Sequence, residues 1–159
     1  MNKDVMFSSG KDTWETPDSL FKLYDDEFHF VLDAAANEVN HKCENWLGPN
    51  GIHEDALSVS WKPWLSIGNV WLNPPYSRKL QIEFIKKAFI ETYGKGLGCV
   101  VTLLPARTDT KLFHQYIWDN EQDSPSQREN VELIFLKGRL KFKGAKHGAP
   151  FPSMIVIFN

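Results

Sequence analysis

The residues best suited to chemistry in this sequence form the turn Asn73-Pro74-Pro75-Tyr76, which follows the apolar run Val70-Trp71-Leu72. Two consecutive prolines hold φ at about −65° and remove two backbone donors, so carbonyls of the turn can accept hydrogen bonds from another molecule. Asn73 adds a side-chain carbonyl acceptor, and Tyr76 adds a ring that can lie against an aromatic substrate. Such a turn would hold an exocyclic NH2 group by two acceptors and cover the ring that bears it.

The same four residues allow two other interpretations. They satisfy the pattern Asn-Pro-x-Tyr, a peptide signal that adaptor domains bind in disordered tails, and a Pro-Pro turn can be purely structural. The peptide-signal interpretation requires an exposed, disordered segment. Here the turn stands between a predicted strand and a predicted helix, which argues against it.

Further segments between residues 12 and 158 resemble the small phage-type DNA N6-adenine methyltransferases, whose catalytic motif is (D/N)-P-P-(Y/F). Besides the turn, the segments are Trp14-Glu15-Thr16-Pro17, Leu32-Asp33-Ala34-Ala35-Ala36, Asp55-Ala56-Leu57 with Trp61, the segment from Leu103 to Thr110, Gly138-Arg139-Leu140-Lys141-Phe142 and Pro150-Phe151-Pro152-Ser153-Met154. The resemblance implies an α/β fold of the Rossmann-like S-adenosylmethionine-dependent methyltransferase type. Its sheet would be mostly parallel, with an antiparallel C-terminal hairpin and a trimmed first half.

The activity implied by this resemblance is methyl transfer from S-adenosylmethionine to the N6 amino group of adenine in double-stranded DNA. The catalytic residues would be Asn73, Pro74, Pro75 and Tyr76, with the adenine flipped out of the duplex and stacked on Tyr76. Cytosine N4, RNA and protein glutamine N5 methyltransferases share such a turn and remain alternatives. The peptide signal is the non-enzymatic alternative.

The resemblance also implies which residues bind the cofactor. Asp33 would lie near its methionine amino group and Asp55 near its adenine amino group, while Glu44 is a candidate for the ribose hydroxyls. Asp33 has an alternative role as a helix-capping residue, and the alanines after it stand where the family more often has glycine. The expected set is Trp14, Thr16, Pro17, Asp33, Ala34, Ala35, Ala36, Asp55, Ala56 and Leu57.

Four cations, Lys137, Arg139, Lys141 and Lys143, alternate with apolar residues and glycine. In a strand this period of two places the cations on one face, where they could contact the phosphates of DNA. Lysines that protect an edge strand against aggregation are the alternative. We expect DNA contact here, with Arg107 and Ser77 as further candidates.

Hydrophobic spacing predicts the elements that position these residues. Thr16 as N-cap and Pro17 as first residue predict a helix to about Asp26, and the run from His29 to Leu32 predicts a buried strand that ends in Asp33. Residues 37 to 68 predict a loop-rich crossover with a short strand near Lys42 to Trp46. An amphipathic helix is predicted over 79 to 93, with Ile82, Ile85, Ala88, Phe89 and Tyr93 on one face. A strand from Gly98 to Leu104, a helix from Thr108 to Trp118 and a surface loop from Asn120 to Asn130 follow. The last predicted strands are Val131 to Leu136, Arg139 to Lys143 and Ser153 to Phe158.

Composition and length narrow the class of protein. A chain of 159 residues suits one domain over 1–159, with residues 1–11 expected to be flexible. The net charge of −2 argues against a broad, non-specific polyanion binder but allows a local basic patch. The spacing of His41, Cys43 and His53 lacks a fourth ligand, so no metal is expected. Without an apolar leader or membrane span, we expect a cytoplasmic protein, which the resemblance places in the bacterial host of a phage or prophage. The oligomeric state is open, with a monomer favoured.

Overall fold

The computed structural model describes residues 14–94, 96–121 and 123–159. The predicted flexibility of residues 1–11 lies outside the described residues. The helices are α1 Asp18–Phe28, α2 Lys62–Leu65 and α3 Arg78–Glu91, with a π-helical turn at Phe113–Ile117. The strands are β1 Phe30–Asp33, β2 Asn69–Leu72, β3 Val100–Pro105, β4 Trp118–Asp119, β5 Ser126–Gln127, β6 Val131–Phe135 and β7 Ser153–Phe158.

The main sheet has five strands in the order β1-β2-β3-β7-β6. Strands β1, β2 and β3 run parallel, whereas β7 is antiparallel to both β3 and β6. The parallel strands therefore end at one edge of the sheet, which we call the carboxyl edge. Strand β7 begins at this edge, because Ser153 pairs with Pro105. The prediction of an α/β fold with an antiparallel end is confirmed, and the sheet is mixed.

Both faces of the sheet are buried at its strands β3 and β7. Along β3, Val100 and Leu104 pack into a core that includes the buried face of α3, while Val101 and Leu103 pack into a second core with α1 and the loop before β7. A strand covered on both faces needs a continuous apolar sequence, which is what β3 has. Two packed layers therefore hold the central strands in place, and residues at the carboxyl edge are positioned by these strands.

The start of α1 differs from the prediction at one residue. The N-cap is Pro17, with φ −60° and ψ 137°, and no side chain caps the helix. The Thr16 hydroxyl accepts a hydrogen bond from Asn73 instead. At the other end, His29 adopts φ 54° and its N–H donates to the Asp25 carbonyl, which stops the helix. The predicted role of Thr16 as N-cap is therefore wrong, because its oxygen is used elsewhere.

Helix α3 was predicted correctly, but its buried face is displaced from the predicted one. The buried apolar residues are Leu80, Phe84, Ile85 and Ala88. Tyr93 lies beyond the end of the helix and is 76% exposed. The helix stops before Gly94, which has φ 145°, so Tyr93 cannot reach the core.

The two least regular parts of the chain were predicted less well. No strand forms near Lys42 to Trp46 in the described residues; Trp46 makes only an isolated bridge to Asp33. The predicted helix from Thr108 to Trp118 forms only in part, over residues 111–117. Its core is the π-helical turn, and Trp118 already belongs to β4, which pairs with β5 inside the predicted surface loop.

The predicted strand from Arg139 to Lys143 does not form. Gly138 and Gly144 have φ of 76° and 81°, so the chain turns at both ends of the segment. The backbone groups of the segment bond to loops: the Ala149 N–H donates to the Leu140 carbonyl, and the Lys143 N–H donates to the Glu15 carbonyl. The alternation of exposed cations with inward-facing apolar residues persists without the strand.

Within the described residues, no helix is long and apolar enough to cross a membrane. In the same part of the chain, no cluster of three or more His, Cys, Asp or Glu side chains could hold a metal ion. His41 stacks on Trp46 with ring centroids 4.0 Å apart.

Candidate active site

The Pro-Pro turn, residues 73–76, leaves the carboxyl edge directly after β2 and leads into α3. The Asn73 side-chain nitrogen donates to the Trp14 carbonyl and, over 3.0 Å, to the Thr16 hydroxyl. Because a backbone carbonyl can only accept, the amide nitrogen of Asn73 must face this side. Its oxygen Oδ1 then faces the other side, where it is buried and has no hydrogen-bond partner within the described residues.

An unpartnered buried carbonyl oxygen is a costly feature, worth about 1–3 kcal/mol of forfeited hydration. The Pro74 carbonyl, in a buried residue one position later, likewise accepts no hydrogen bond from the described residues. Two neighbouring acceptors without donors indicate a donor that comes from another molecule. An NH2 group, with two hydrogens on one nitrogen, matches this pair chemically.

Tyr76 is buried rather than open to solvent, at 7% exposure. Its hydroxyl donates to the Leu103 carbonyl over 3.2 Å. Burial raises the pKa of Tyr76 far above its ordinary value, so the hydroxyl stays protonated and acts only through that hydrogen bond. The hydrogen bond ties the turn to β3.

Aromatic rings surround Tyr76. The rings of Phe142 and Phe151 meet it edge-on at centroid distances of 6.2 and 5.8 Å, and Trp14 meets the same two rings at 5.3 and 5.2 Å. Neither Phe142 nor Phe151 was among the predicted site residues. The signal was present, since Phe142 falls on the apolar side of the alternating segment and both residues lie in the resembling motifs.

Arg107 follows β3 at the carboxyl edge and is exposed. Its guanidinium lies 5.5 Å from the centre of the Phe151 ring. An arginine over an aromatic face is held by the charge distribution of the ring. The structure thus brings Arg107 to the aromatic cluster, as a cation next to the Pro-Pro turn.

Asp33 ends β1, the neighbour of β2, and its side chain is buried. Its two carboxylate oxygens accept from the backbone N–H groups of Ala35, over 3.3 Å, and Lys42, over 2.9 Å. Burial, opposed by these hydrogen bonds, raises the pKa of Asp33 to about 7. The alternative of a helix-capping aspartate is wrong, since a loop follows β1 and the carboxylate closes that loop.

A sequence profile of the DNA N-6-adenine-methyltransferase (Dam) family matches residues 4–159. The chain belongs to this family. A protein of Escherichia phage T1, named DNA N-6-adenine-methyltransferase, is 34% identical over 104 residues. The matched region is 65% of this chain and 40% of the phage protein. The chain thus spans well under two thirds of that relative's length.

Alanines follow Asp33 at positions where the family more often has glycine, and the backbone of this loop is not strained by them. Among the described residues, positive φ outside glycine occurs at His29 and Asn50, not in this loop. The N–H groups of Ala34 and Ala36 donate to the Trp71 and Leu47 carbonyls. The loop is therefore held against β2, and it offers a bound molecule close approach rather than free N–H donors.

The second family segment, Asp55-Ala56-Leu57, forms a turn of its own. One Asp55 carboxylate oxygen accepts from the Leu57 N–H over 3.0 Å, and Ala56 is fully buried. Leu57 lines an open cavity of about 280 Å³ together with Glu83, Lys86, Lys87 and Ile90 of α3. The structure therefore places Leu57 against the middle and the C-terminal part of α3.

The predicted basic residues divide into two groups. Lys137, Arg139 and Lys141 are exposed, and none of them forms an ion pair with another described residue. Lys143 binds Asp18 over 3.1 Å and Glu15 over 3.6 Å, and these acids raise its pKa.

Ser77 is the N-cap residue of α3, half-buried beside the turn. Glu44 is exposed, on the loop between Lys42 and Trp46.

Proposed function

We propose that this protein transfers the methyl group of S-adenosylmethionine to the N6 amino group of adenine in DNA. The observation that carries the proposal is the unpartnered buried Oδ1 of Asn73, next to the unpartnered Pro74 carbonyl, in a chain of the Dam family. The two oxygens would accept the two hydrogens of the amine. They favour a pyramidal nitrogen, whose lone pair is then free to attack.

When bound, S-adenosylmethionine supplies an electrophilic methyl group on a sulfonium sulfur. The chain's own contribution is orientation and electrostatics: Asn73 and Pro74 aim the amine and stabilise the positive charge that develops on its nitrogen. With the cofactor bound, its carbon–sulfur bond would break as the nitrogen–carbon bond forms, while Asn73 and Pro74 would hold the amine hydrogens until one of them is lost to water. No covalent bond to the protein is required.

The residues at the carboxyl edge fit a nucleoside cofactor of this kind. Asp33 keeps unused lone pairs on each oxygen for the cofactor's amino group, and the small side chain of Ala35 is partly exposed beside it. Trp14, Thr16 and Pro17 would cover the methionine end. This arrangement supports the Rossmann-like methyltransferase type of fold. The proposed adenine-side contacts, Asp55, Ala56 and Leu57, lie further along α3.

For the DNA we propose contacts to phosphates from Arg107, Ser77, Lys137, Arg139 and Lys141. Lys143 contributes less, because Asp18 and Glu15 already neutralise it. The target adenine would leave the duplex, since a stacked base cannot present its amine to a buried acceptor pair. The aromatic cluster around Tyr76 supplies a surface for its ring. A phage relative supports the cytoplasm of a bacterial host as the place of action.

The alternatives differ in how well they suit these observations. Cytosine N4, an RNA base or a glutamine amide would offer the same NH2 group to the two acceptors, but the family match favours adenine in DNA. The peptide-signal interpretation requires an exposed tail. Pro74, Pro75 and Tyr76 are buried between β2 and α3, so that interpretation is wrong.

The product of the reaction tests the proposal. Purified protein is incubated with duplex DNA and S-adenosylmethionine, and the digested nucleosides are separated by mass spectrometry. N6-methyladenine is the expected product, strongly reduced at early times with Asn73→Ala and at the wild-type level with the matched Asn159→Ala variant, whose asparagine is exposed at the end of β7. N4-methylcytosine, or unmodified DNA with active cofactor binding, would contradict the proposal.

A further inference from the structure

The segment before α1, residues 14–17, crosses over the Pro-Pro turn, and we call it the strap. Two of its oxygens, the Trp14 carbonyl and the Thr16 hydroxyl, accept hydrogen bonds from the single side-chain nitrogen of Asn73. Thr16 is 2% exposed, so water does not compete for this bond. These contacts join residues that are 59 and 57 positions apart in the sequence.

The orientation of the Asn73 amide decides what it offers to a substrate. The torsion before a carboxamide is broad and roughly two-fold, so without partners its oxygen and nitrogen exchange places easily. If the Asn73 nitrogen faced the substrate, it would present N–H groups to the N–H groups of the substrate amine. Two donors cannot form a hydrogen bond with each other, so the amine would be repelled. The Trp14 carbonyl can only accept, so it excludes that orientation, and the Thr16 hydroxyl adds a second hydrogen bond that holds the nitrogen in place.

We infer that Thr16, together with the Trp14 carbonyl, is a positioning residue that fixes the Asn73 amide so that Oδ1 faces the substrate amine. The inference rests on the proposed function for its catalytic consequence. This role is additional to the cofactor contact proposed for Thr16: the hydroxyl acts through Asn73 and sets the direction in which the acceptor Oδ1 faces. It also explains why asparagine suits this chain at a position where the family allows aspartate, since a carboxylate could not donate to the Trp14 carbonyl.

The strap is held in place independently of Thr16. The Lys143 N–H donates to the Glu15 carbonyl over 2.9 Å, and the Lys42 ammonium binds the Glu15 carboxylate over 3.4 Å. The Trp14 ring is packed against two phenylalanine rings. Removing the Thr16 hydroxyl should therefore leave the strap in position, and the resulting effect reports on the Asn73 contact.

A double-mutant cycle tests the inference. Thr16→Val keeps the shape of the side chain and removes the acceptor, and Thr16→Ser is the matched control that keeps the hydroxyl. We expect Thr16→Val to slow single-turnover methylation by about 10-fold, the value of one hydrogen bond, and Thr16→Ser to stay close to wild type. In the Asn73→Ala background, Thr16→Val should change the rate by less than about 2-fold.

Three outcomes would overturn the inference: a wild-type rate in Thr16→Val, an equal slowing in the Asn73→Ala background, or an effect confined to the affinity for S-adenosylmethionine measured by calorimetry. A wild-type melting temperature in Thr16→Val confirms that the strap persists. If Thr16→Val melts at a lower temperature, the methylation rates of Thr16→Ser and Thr16→Val are compared at a temperature where both are folded. Equal rates there would overturn the inference.

A readout without catalysis separates this inference from the proposed function. The side-chain NH2 signals of Asn73, assigned in nitrogen-labelled protein by their disappearance in Asn73→Ala, should shift and exchange with water faster in Thr16→Val but not in Thr16→Ser. Unchanged signals would overturn the inference whatever the wild-type activity. A wild-type protein that leaves DNA unmethylated would contradict the proposed function, while the Asn73 signals would still decide whether Thr16 fixes the amide.

Discussion

At the scale of single residues, the site depends on how two buried polar side chains are satisfied. The Asn73 nitrogen donates to protein oxygens while its own oxygen has no partner among the described residues, whereas both Asp33 oxygens accept backbone N–H groups. The sequence identifies both residues, because each follows an apolar strand. It does not reveal their partners, since Thr16 is 57 positions from Asn73 and Lys42 binds Asp33 through its backbone N–H, which no side-chain pattern indicates.

The raised pKa of Asp33 predicts a pH dependence of stability. Its pKa rises from an ordinary 3.8 to about 7 on folding, so the folded state holds the proton more tightly than the unfolded state. This group's contribution to stability is therefore fully present below the ordinary pKa and is lost as the pH rises through the folded one. Urea unfolding of wild type and Asp33→Asn from about pH 4 to about pH 8 measures the effect.

We expect the free energy of unfolding of the wild type to fall more steeply with rising pH than that of Asp33→Asn. Asp109→Asn, an exposed aspartate beyond β3, serves as the control and should follow the wild-type slope. Parallel curves for wild type and Asp33→Asn would show that the Asp33 carboxyl titrates alike in the folded and unfolded states.

At the scale of elements, strong periodicity was a reliable guide and weak periodicity was not. Strands β1, β3 and β7 and helix α3 were predicted within a few residues, because each has a long apolar run or stripe. The segment around Lys141 has the period of a strand but lies outside the sheet. Glycines at both of its ends turn the chain, and β6 already pairs with β7, so the segment's backbone bonds to loops.

The same segment predicts a measurable interaction with DNA. Replacing Lys137, Arg139 and Lys141 together by glutamine should weaken DNA binding and reduce the slope of log affinity against log salt by about 0.9 for each phosphate that the variant no longer neutralises. Lys143 is left unchanged because it binds Glu15 of the strap and Asp18 of α1. Fluorescence anisotropy of a labelled duplex over a range of salt concentrations measures the slope.

A second triple variant controls for the change in net charge. Lys22, Lys62 and Lys86 lie on α1, α2 and α3 and are exposed, so their replacement by glutamine removes the same charge elsewhere. This variant should retain the wild-type slope. If both triple variants show the wild-type slope, the segment from Lys137 to Lys141 does not touch DNA.

At the scale of the whole molecule, the fold gathers distant parts of the chain at one edge of the sheet. The ends of three parallel strands supply Asp33, Asn73 and Arg107, the strap covers the turn, and the loop before β7 adds Phe142 and Phe151. Several of the segments picked out by the family resemblance meet at this edge, whereas Asp55-Ala56-Leu57 lies against α3. The tertiary contacts among them, such as the paired hydrogen bonds from Asn73 to the strap, follow from the packed structure and have no pattern in the sequence.

The role of Asn73 as an acceptor for the substrate amine is decided by single-turnover methylation with the Asn73→Ala variant. Adenine-containing duplex DNA is mixed with excess enzyme, with S-adenosylmethionine affinity and melting temperature measured alongside and Asn159→Ala as the control. We expect folded protein that binds the cofactor normally and methylates about 10²-fold or more slowly, as removal of a preorganised hydrogen-bond partner produces. A wild-type single-turnover rate in Asn73→Ala would contradict this role.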